Sequence, residues 1–141
     1  MVATVTVGWD KRMRRRIGIC IAALGLAACD TSNGVVCTAE FRALTVTLLD
    51  SAGQPVLDAT TVTTIPRTGD TLPITWLGTP AAGTYIYVDD GASNAIRELG
   101  DSLRVDVDRS AGTDFSIAYF VDVPSGCHVR KVTGPDTVVV P

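Results

Sequence analysis

The chain has 141 residues, with 12 Lys and Arg against 15 Asp and Glu, and a formal net charge of −3. Residues 1–28 contain five of the basic residues and one acidic residue, so the chain from Cys29 onward has seven basic and 14 acidic residues, a net charge of −7. A domain this acidic is a poor candidate for binding nucleic acid or an anionic membrane surface. The length after Cys29 suffices for one domain and is too short for two.

A short apolar run follows a positively charged block near the start of the chain. The block "KRMRRR" occupies residues 11–16 and the run "IGICIAALGLAA" occupies residues 17–28. A helix of about 12 residues covers about 18 Å, whereas the hydrocarbon core of a bilayer is roughly 30 Å thick, so the run is too short to span it. These parts are typical of a secretory signal. We therefore predict that residues 1–28 are a signal peptide, with Met13 as an alternative start.

The residues that end the apolar run indicate how the chain is anchored. Leu26-Ala27-Ala28-Cys29 resembles the lipobox of bacterial lipoproteins. In that family the cysteine thiol receives a diacylglycerol, and a peptidase cuts the chain just before it. The resemblance implies that Cys29 becomes an N-terminus carrying fatty-acyl chains such as palmitate, with residues 29–36 as a short polar tether. It also implies a membrane-anchored lipoprotein of the bacterial cell envelope, with the inner or outer membrane left open.

The remainder of the chain shows the periodicity of short strands. Alternating or β-branched runs separated by Gly, Pro and Asp predict strands at residues 41–50, 59–65, 71–76, 83–91, 102–109, 114–123, 127–132 and 136–140. Strict alternation within 102–109 predicts aliphatic residues in the core and charged residues in water. One segment, 93–99, indicates a helical turn. Seven or eight short strands predict a single all-β domain at residues 37–141, folded as a two-sheet sandwich with Greek-key connections.

One turn carries a family resemblance. The segment "DSAGQPV", residues 50–56, is followed by Ala59 and a Thr- and Val-rich strand. This pattern resembles the start of carboxypeptidase regulatory-like domains and related bacterial immunoglobulin-like modules. The resemblance implies an immunoglobulin-like or transthyretin-like β-sandwich that is structural or presents a ligand, and it carries over no catalytic residue.

Two cysteines remain unlipidated after the predicted processing, Cys37 and Cys127. In an oxidising compartment they are expected to form a disulfide. The bridge would close a loop of about 90 residues and stabilise the fold by about 4–5 kcal/mol in the chain-entropy model. A zinc site needs more ligands than the single nearby histidine provides. We predict a Cys37–Cys127 disulfide, with no metal and no cofactor.

Catalytic motifs are absent from the sequence. His128 is the only histidine, and its alternation with Val129 predicts a position on a strand surface. The sequence contains no G-x-S-x-G, H-E-x-x-H or phosphate-loop pattern. We therefore predict that the protein has no catalytic residues and is not an enzyme.

Two further sets of side chains are candidates for binding. The carboxylates do not follow the calcium-loop pattern and are interpreted as solvated strand and turn residues. The aromatic residues suit core packing, with a sugar-stacking platform as the alternative. The carboxylates are Asp89, Asp90, Asp101, Asp106 and Asp108; the aromatic residues are Trp76, Tyr85, Tyr87, Tyr119 and Phe120.

These observations predict a lipid-anchored envelope protein with a non-catalytic structural or interaction module. The alternative is a carbohydrate- or peptide-binding module at the membrane surface, with a glycan or another envelope protein as its partner. Exposed aromatic residues would favour the binding module, and buried ones the structural role.

Overall fold

A computed structural model describes residues 36–140, whose backbone forms eight strands and two short 3-10 helices. The predicted signal peptide, the lipobox and Cys29 lie outside these residues. The strands are β1 (Ala43–Leu49), β2 (Ala59–Ile65), β3 (Asp70–Thr71), β4 (Thr84–Asp89), β5 (Asp101–Arg109), β6 (Phe115–Asp122), β7 (Arg130–Thr133) and β8 (Thr137–Val139), and the 3-10 helices are Asp90–Ala92 and Pro124–Gly126. The predicted all-β fold is confirmed.

The strands form two sheets that pack as a sandwich. The smaller sheet has the order β4-β1-β8, in which β1 pairs antiparallel with β4 and parallel with β8. The larger sheet has the order β3-β2-β5-β6-β7 and is antiparallel throughout. Two hydroxyls of β2 join the sheets, because Thr61 donates to the carbonyl of Ile86 and Thr63 to that of Tyr87. Strand β2 of the larger sheet therefore lies next to β4 of the smaller sheet, and these hydrogen bonds connect the two.

The core lies between the facing surfaces of the two sheets. In β5 the aliphatic residues Leu103, Val105 and Val107 are buried while Arg104 and Asp108 are exposed, as the alternation predicts. The packing also includes an aromatic pair, since Tyr87 of β4 and Tyr119 of β6 are both buried and stack with their ring centroids 4.0 Å apart. Such a pair stabilises by about 0.5–1.5 kcal/mol beyond its area burial.

The strand predicted at residues 71–76 is wrong beyond its first residue. Only Asp70 and Thr71 pair with β2. Pro73 has no amide hydrogen for a sheet ladder. The amides of Thr75 and Trp76 donate to the carboxylate of Asp89 and so are unavailable for strand pairing. Residues 72–83 consequently form a loop between β3 and β4.

Two other local predictions differ from the structure. The helical turn lies at Asp90–Ala92, earlier than predicted, where the Asp89 carboxylate accepts a hydrogen bond from the amide of Gly91. The strand predicted from residue 127 begins at Arg130, because the amide of Val129 donates to Asp90. In both places a long-range or capping carboxylate sets the boundary.

Candidate binding surface

A disulfide fixes the segment that leads into β1. The sulfur atoms of Cys37 and Cys127 are 1.99 Å apart and the Cα atoms 5.4 Å apart, within the range of a disulfide. Cys37 precedes β1 of the smaller sheet, and Cys127 lies in the connection between β6 and β7 of the larger sheet. The predicted pair thus ties the entry of the domain to the opposite sheet.

A chain of hydrogen bonds continues this attachment. The Oγ1 of Thr38 lies 2.9 Å from the Nε2 of His128, whose Nδ1 lies 2.7 Å from the Oδ2 of Asp90. Asp90 also accepts from the amides of Arg42, at 2.7 Å, and Val129, at 2.8 Å. The order of hydroxyl, imidazole and carboxylate is that of a hydrolase triad. Here the Asp90 carboxylate also accepts hydrogen bonds from two backbone amides. These hydrogen bonds together connect residues 38–42 to the residues that precede β7.

This arrangement corrects the expectation for His128. Its side chain is only 16% exposed and precedes β7, so it does not project from a strand surface. Asp90 is also largely buried, contrary to the interpretation as a solvated turn residue. Burial alone raises the pKa of Asp90, but the hydrogen bonds from His128, Val129 and Arg42 outweigh it and lower the pKa below its usual value.

The neighbouring carboxylate, Asp89, holds a different segment. It is completely buried, and it accepts from the amides of Thr75 at 2.6 Å, Trp76 at 2.7 Å and Gly91 at 2.9 Å. The Thr75 hydroxyl donates to the same carboxylate at 3.1 Å. A buried carboxylate is tolerated only when it is hydrogen-bonded in this way. The expectation of a solvated Asp89 is therefore wrong, and the residue anchors the loop that carries Trp76.

Asp101 is a third buried carboxylate where a solvated one was expected. Its side chain is 1% exposed and is bonded by the guanidinium groups of Arg67 and Arg97, each with a contact of 2.9 Å. The hydrogen bonds from Arg67 make the largest contribution in lowering the pKa of Asp101 to about 2, assisted by Arg97. Asp106 is half-buried and bonded to a serine and an arginine, whereas Asp108 is exposed as expected.

Asp89, Asp90 and Asp101 are thus bonded to backbone amides, to His128 or to arginines. Within residues 36–140, no group of three or more His, Cys, Asp or Glu side chains is placed to hold a metal ion.

The aromatic residues divide into a buried and an exposed set. The core interpretation is right for Tyr87 and Tyr119, and Tyr85 is half-buried with its hydroxyl donating to the carbonyl of Val56 at 2.9 Å. Trp76 is 39% exposed and stacks on Phe41, which is 45% exposed; their ring centroids are 5.8 Å apart and the rings are inclined by 29°. Large apolar side chains thus meet at the surface.

Leu77 extends this exposed pair, since its side chain is 100% exposed. We call Phe41, Trp76 and Leu77 the aromatic patch. Together with Thr75 and Gly78 they line a shallow apolar hollow. An exposed cluster of this kind marks an interaction surface more often than an isolated exposed residue does.

A longer groove of about 480 Å³ adjoins the aromatic patch. It runs along β1 and β4 beside the loop that connects β3 to β4. Its lining combines the two aromatic rings with hydroxyl groups and includes Phe41, Thr45, Trp76, Thr79, Thr84 and Ile86.

Sequence reasoning missed most of this surface. Phe41 is a predicted strand residue that lies before β1, and Leu77 is not singled out by any periodicity. The available signal is "WLG", residues 76–78, in which two large apolar residues precede a glycine in a segment with prolines on both sides. Gly78 leaves room for the ring of Trp76 in its observed position, because a Cβ atom there would lie 2.3 Å from Nε1 of Trp76.

Comparisons of the chain with protein-family models, with curated proteins and with solved structures find no match. No helix among residues 36–140 is long and apolar enough to cross a membrane.

Proposed function

We propose that the protein is a lipid-anchored bacterial envelope protein whose β-sandwich is a non-catalytic interaction module, with the aromatic patch as its contact surface. The observation that carries this proposal is the way the two rings are held. The carboxylate of Asp89 binds the amide of Trp76, and that of Asp90 binds the amide of Arg42, next to Phe41. Two adjacent carboxylates thus fix both halves of an exposed aromatic pair.

Fixing these segments favours binding over a purely structural role. An exposed aromatic ring stabilises the fold less than a buried one, because less of its apolar area is removed from water. A buried carboxylate lowers the stability of the fold unless it is fully hydrogen-bonded. A surface held rigid before it meets a partner loses less conformational entropy on association. The disulfide at Cys37 and the bond between Thr38 and His128 restrain the same segment further.

The envelope location is supported by the sequence and by the cysteine pair. Leu26-Ala27-Ala28-Cys29 resembles a lipobox, and a disulfide suits an oxidising compartment. The resemblance of residues 50–56 to carboxypeptidase regulatory-like domains is supported by a tight turn, in which Asp50 accepts from the amides of Ala52 and Gln54. We assign the sandwich to the immunoglobulin-like or transthyretin-like type on this basis.

A glycan-binding module is the second candidate function. The groove beside the aromatic patch places the hydroxyls of Thr45, Thr79 and Thr84 near two aromatic rings. Convergent polar groups beside an apolar surface are typical of small-ligand sites.

Site-specific photo-crosslinking in envelope-bearing cells tests whether the aromatic patch is a contact surface. A photoreactive amino acid at position 77 should form an adduct with an envelope component. Leu57 is the matched control, because it is 72% exposed and lies in the β1–β2 connection, at the opposite end of β1 from Phe41. Adducts at neither position, or equally at both, would contradict the proposal.

A further inference from the structure

We infer that the aromatic patch inserts into the interfacial layer of the same bilayer that holds the acyl chains of Cys29. The inference rests on the proposed function, because it requires acylation at Cys29. It adds the identity of the partner, which is the lipid surface itself.

The composition of the aromatic patch fits a lipid interface. Tryptophan is enriched at membrane–water interfaces, where an amphipathic ring suits the headgroup level, and Phe and Leu form the apolar face of interfacial segments. Leu77 is the most exposed of the three residues. A sugar ring stacked on Phe41 or Trp76 would leave this leucine in water, whereas insertion into lipid covers all three residues.

The position of the aromatic patch in the chain brings it to the membrane. Cys29 precedes Val36 by seven residues, which span at most about 25 Å when fully extended. The domain is held from Cys37 onward, because Cys37 is bonded to Cys127 and Thr38 to His128. The tether therefore leaves the domain at Val36, five residues before Phe41, and cannot lengthen by peeling the segment away.

The topology places the aromatic patch at the end of the sandwich where the tether leaves the domain. Phe41 lies directly before β1, and the first residue of β1, Ala43, pairs with Asp89 at the end of β4. The β1–β2 connection, which contains Leu57, lies at the far end of β1. Leu57 thus lies at the far end of the sandwich, whereas the aromatic patch lies at the end where the tether leaves the domain.

The charges near the aromatic patch favour zwitterionic lipid. Glu40 and Arg42 flank Phe41 and form an ion pair at 3.5 Å, so this segment carries no net charge. The chain from Cys29 has a net charge of −7 and is repelled by anionic lipid. Apolar contact, and not attraction to phosphate groups, is the interaction that this surface provides.

The fluorescence of Trp76 tests the inference directly. The chain has two tryptophans, and Trp9 lies in the predicted signal peptide, so Trp76 is the single reporter in a chain that begins at Cys29. The full processed protein, with its acyl mass verified by mass spectrometry, is reconstituted into phosphatidylcholine vesicles with bromine atoms at a shallow position on the acyl chains. We expect quenching of the Trp76 emission relative to the same protein in unbrominated vesicles, and an emission maximum to the blue of that of Leu77→Asp in those vesicles.

Matched variants separate insertion from tethering. Leu77→Asp should abolish most of the quenching, whereas Leu57→Asp should leave it unchanged, and both residues are exposed enough for the variants to fold. A chain without acyl mass overturns the proposed anchoring and this inference together. An acylated chain with unquenched Trp76 overturns this inference alone, and a change in its emission on adding peptidoglycan fragments then assigns the patch to a glycan.

Discussion

Tyr87 of β4 stacks on Tyr119 of β6 across the two sheets, but their hydroxyls are in different situations. The Tyr119 hydroxyl donates to the carbonyl of Pro135 at 3.0 Å. The buried Tyr87 hydroxyl has no hydrogen-bond partner among residues 36–140. Burial raises the pKa of Tyr119 to about 12 and also raises that of Tyr87, so both rings are neutral at ordinary pH. Removing the hydroxyl should therefore have different effects on stability at these two similar positions.

We expect Tyr87→Phe to leave the free energy of unfolding unchanged or to increase it, because the change removes an unpaired buried hydroxyl. Tyr119→Phe should lower it by about 1 kcal/mol, because the Pro135 carbonyl loses its donor. Urea denaturation of both variants measures the two effects. A large destabilisation by Tyr87→Phe would show that its hydroxyl is bonded in solution.

Asp89→Ala should lower the free energy of unfolding by about 3 kcal/mol or more, because it leaves several buried donors without an acceptor. The loop should also move, and the emission of Trp76 should shift to the red as the ring leaves Phe41. Asp89→Asn keeps one carbonyl oxygen and should cost less. Asp108→Asn, an exposed position, is the control and should change neither reading.

Acid stability should depend on Asp101. Its pKa is about 2 in the folded protein and about 3.9 in an unfolded chain, so its contribution is present above about pH 4 and is lost as the pH falls toward 2. We expect this contribution to be about 1 kcal/mol, because its two arginine partners are partly in water. The unfolding free energy of Asp101→Asn should therefore fall less steeply between pH 4 and pH 2. Equal slopes would contradict the prediction.

The Cys37–Cys127 bridge should be recovered as one linked pair by non-reducing peptide mapping of the purified protein. Reduction, or the double change of both cysteines to serine, should lower the melting temperature, with a free-energy cost of about 4–5 kcal/mol in the chain-entropy model. The aromatic patch should also loosen, because residues 37–42 lose their covalent attachment. Free thiols at both positions would refute the pairing.

His128→Ala should destabilise the protein by about 1–2 kcal/mol, since Thr38 and Asp90 each lose a partner. Thr38→Val removes only the outer bond and should cost less. If the hydroxyl–imidazole–carboxylate chain is structural, the wild type should not hydrolyse an activated ester faster than either variant at equal folded concentration. A hydrolysis rate lost in His128→Ala but unrelated to stability would show that the chain is catalytic.

The sequence predicts the sheets better than the candidate binding surface, for a physical reason. The inward positions of β5 follow from a period of two within one strand, which is a local signal. Trp76 is placed by a carboxylate 13 residues away, and His128 by one 38 residues away. The residues next to Trp76 and His128 in the sequence give no indication of these partners. A local sequence pattern therefore cannot predict which buried carboxylates bind distant backbone amides.

The parallel pairing of β1 with β8 has a consequence for how the chain acquires its structure. Thr47 pairs with Thr137, and the disulfide joins cysteines separated by 90 residues. The first strand of the small sheet thus acquires one of its two neighbours only when the last strand is present. Contacts between such distant segments form slowly. If the chain is exported from its N-terminus, as proposed, β1 would lack this neighbour until residues 137–139 have crossed the membrane.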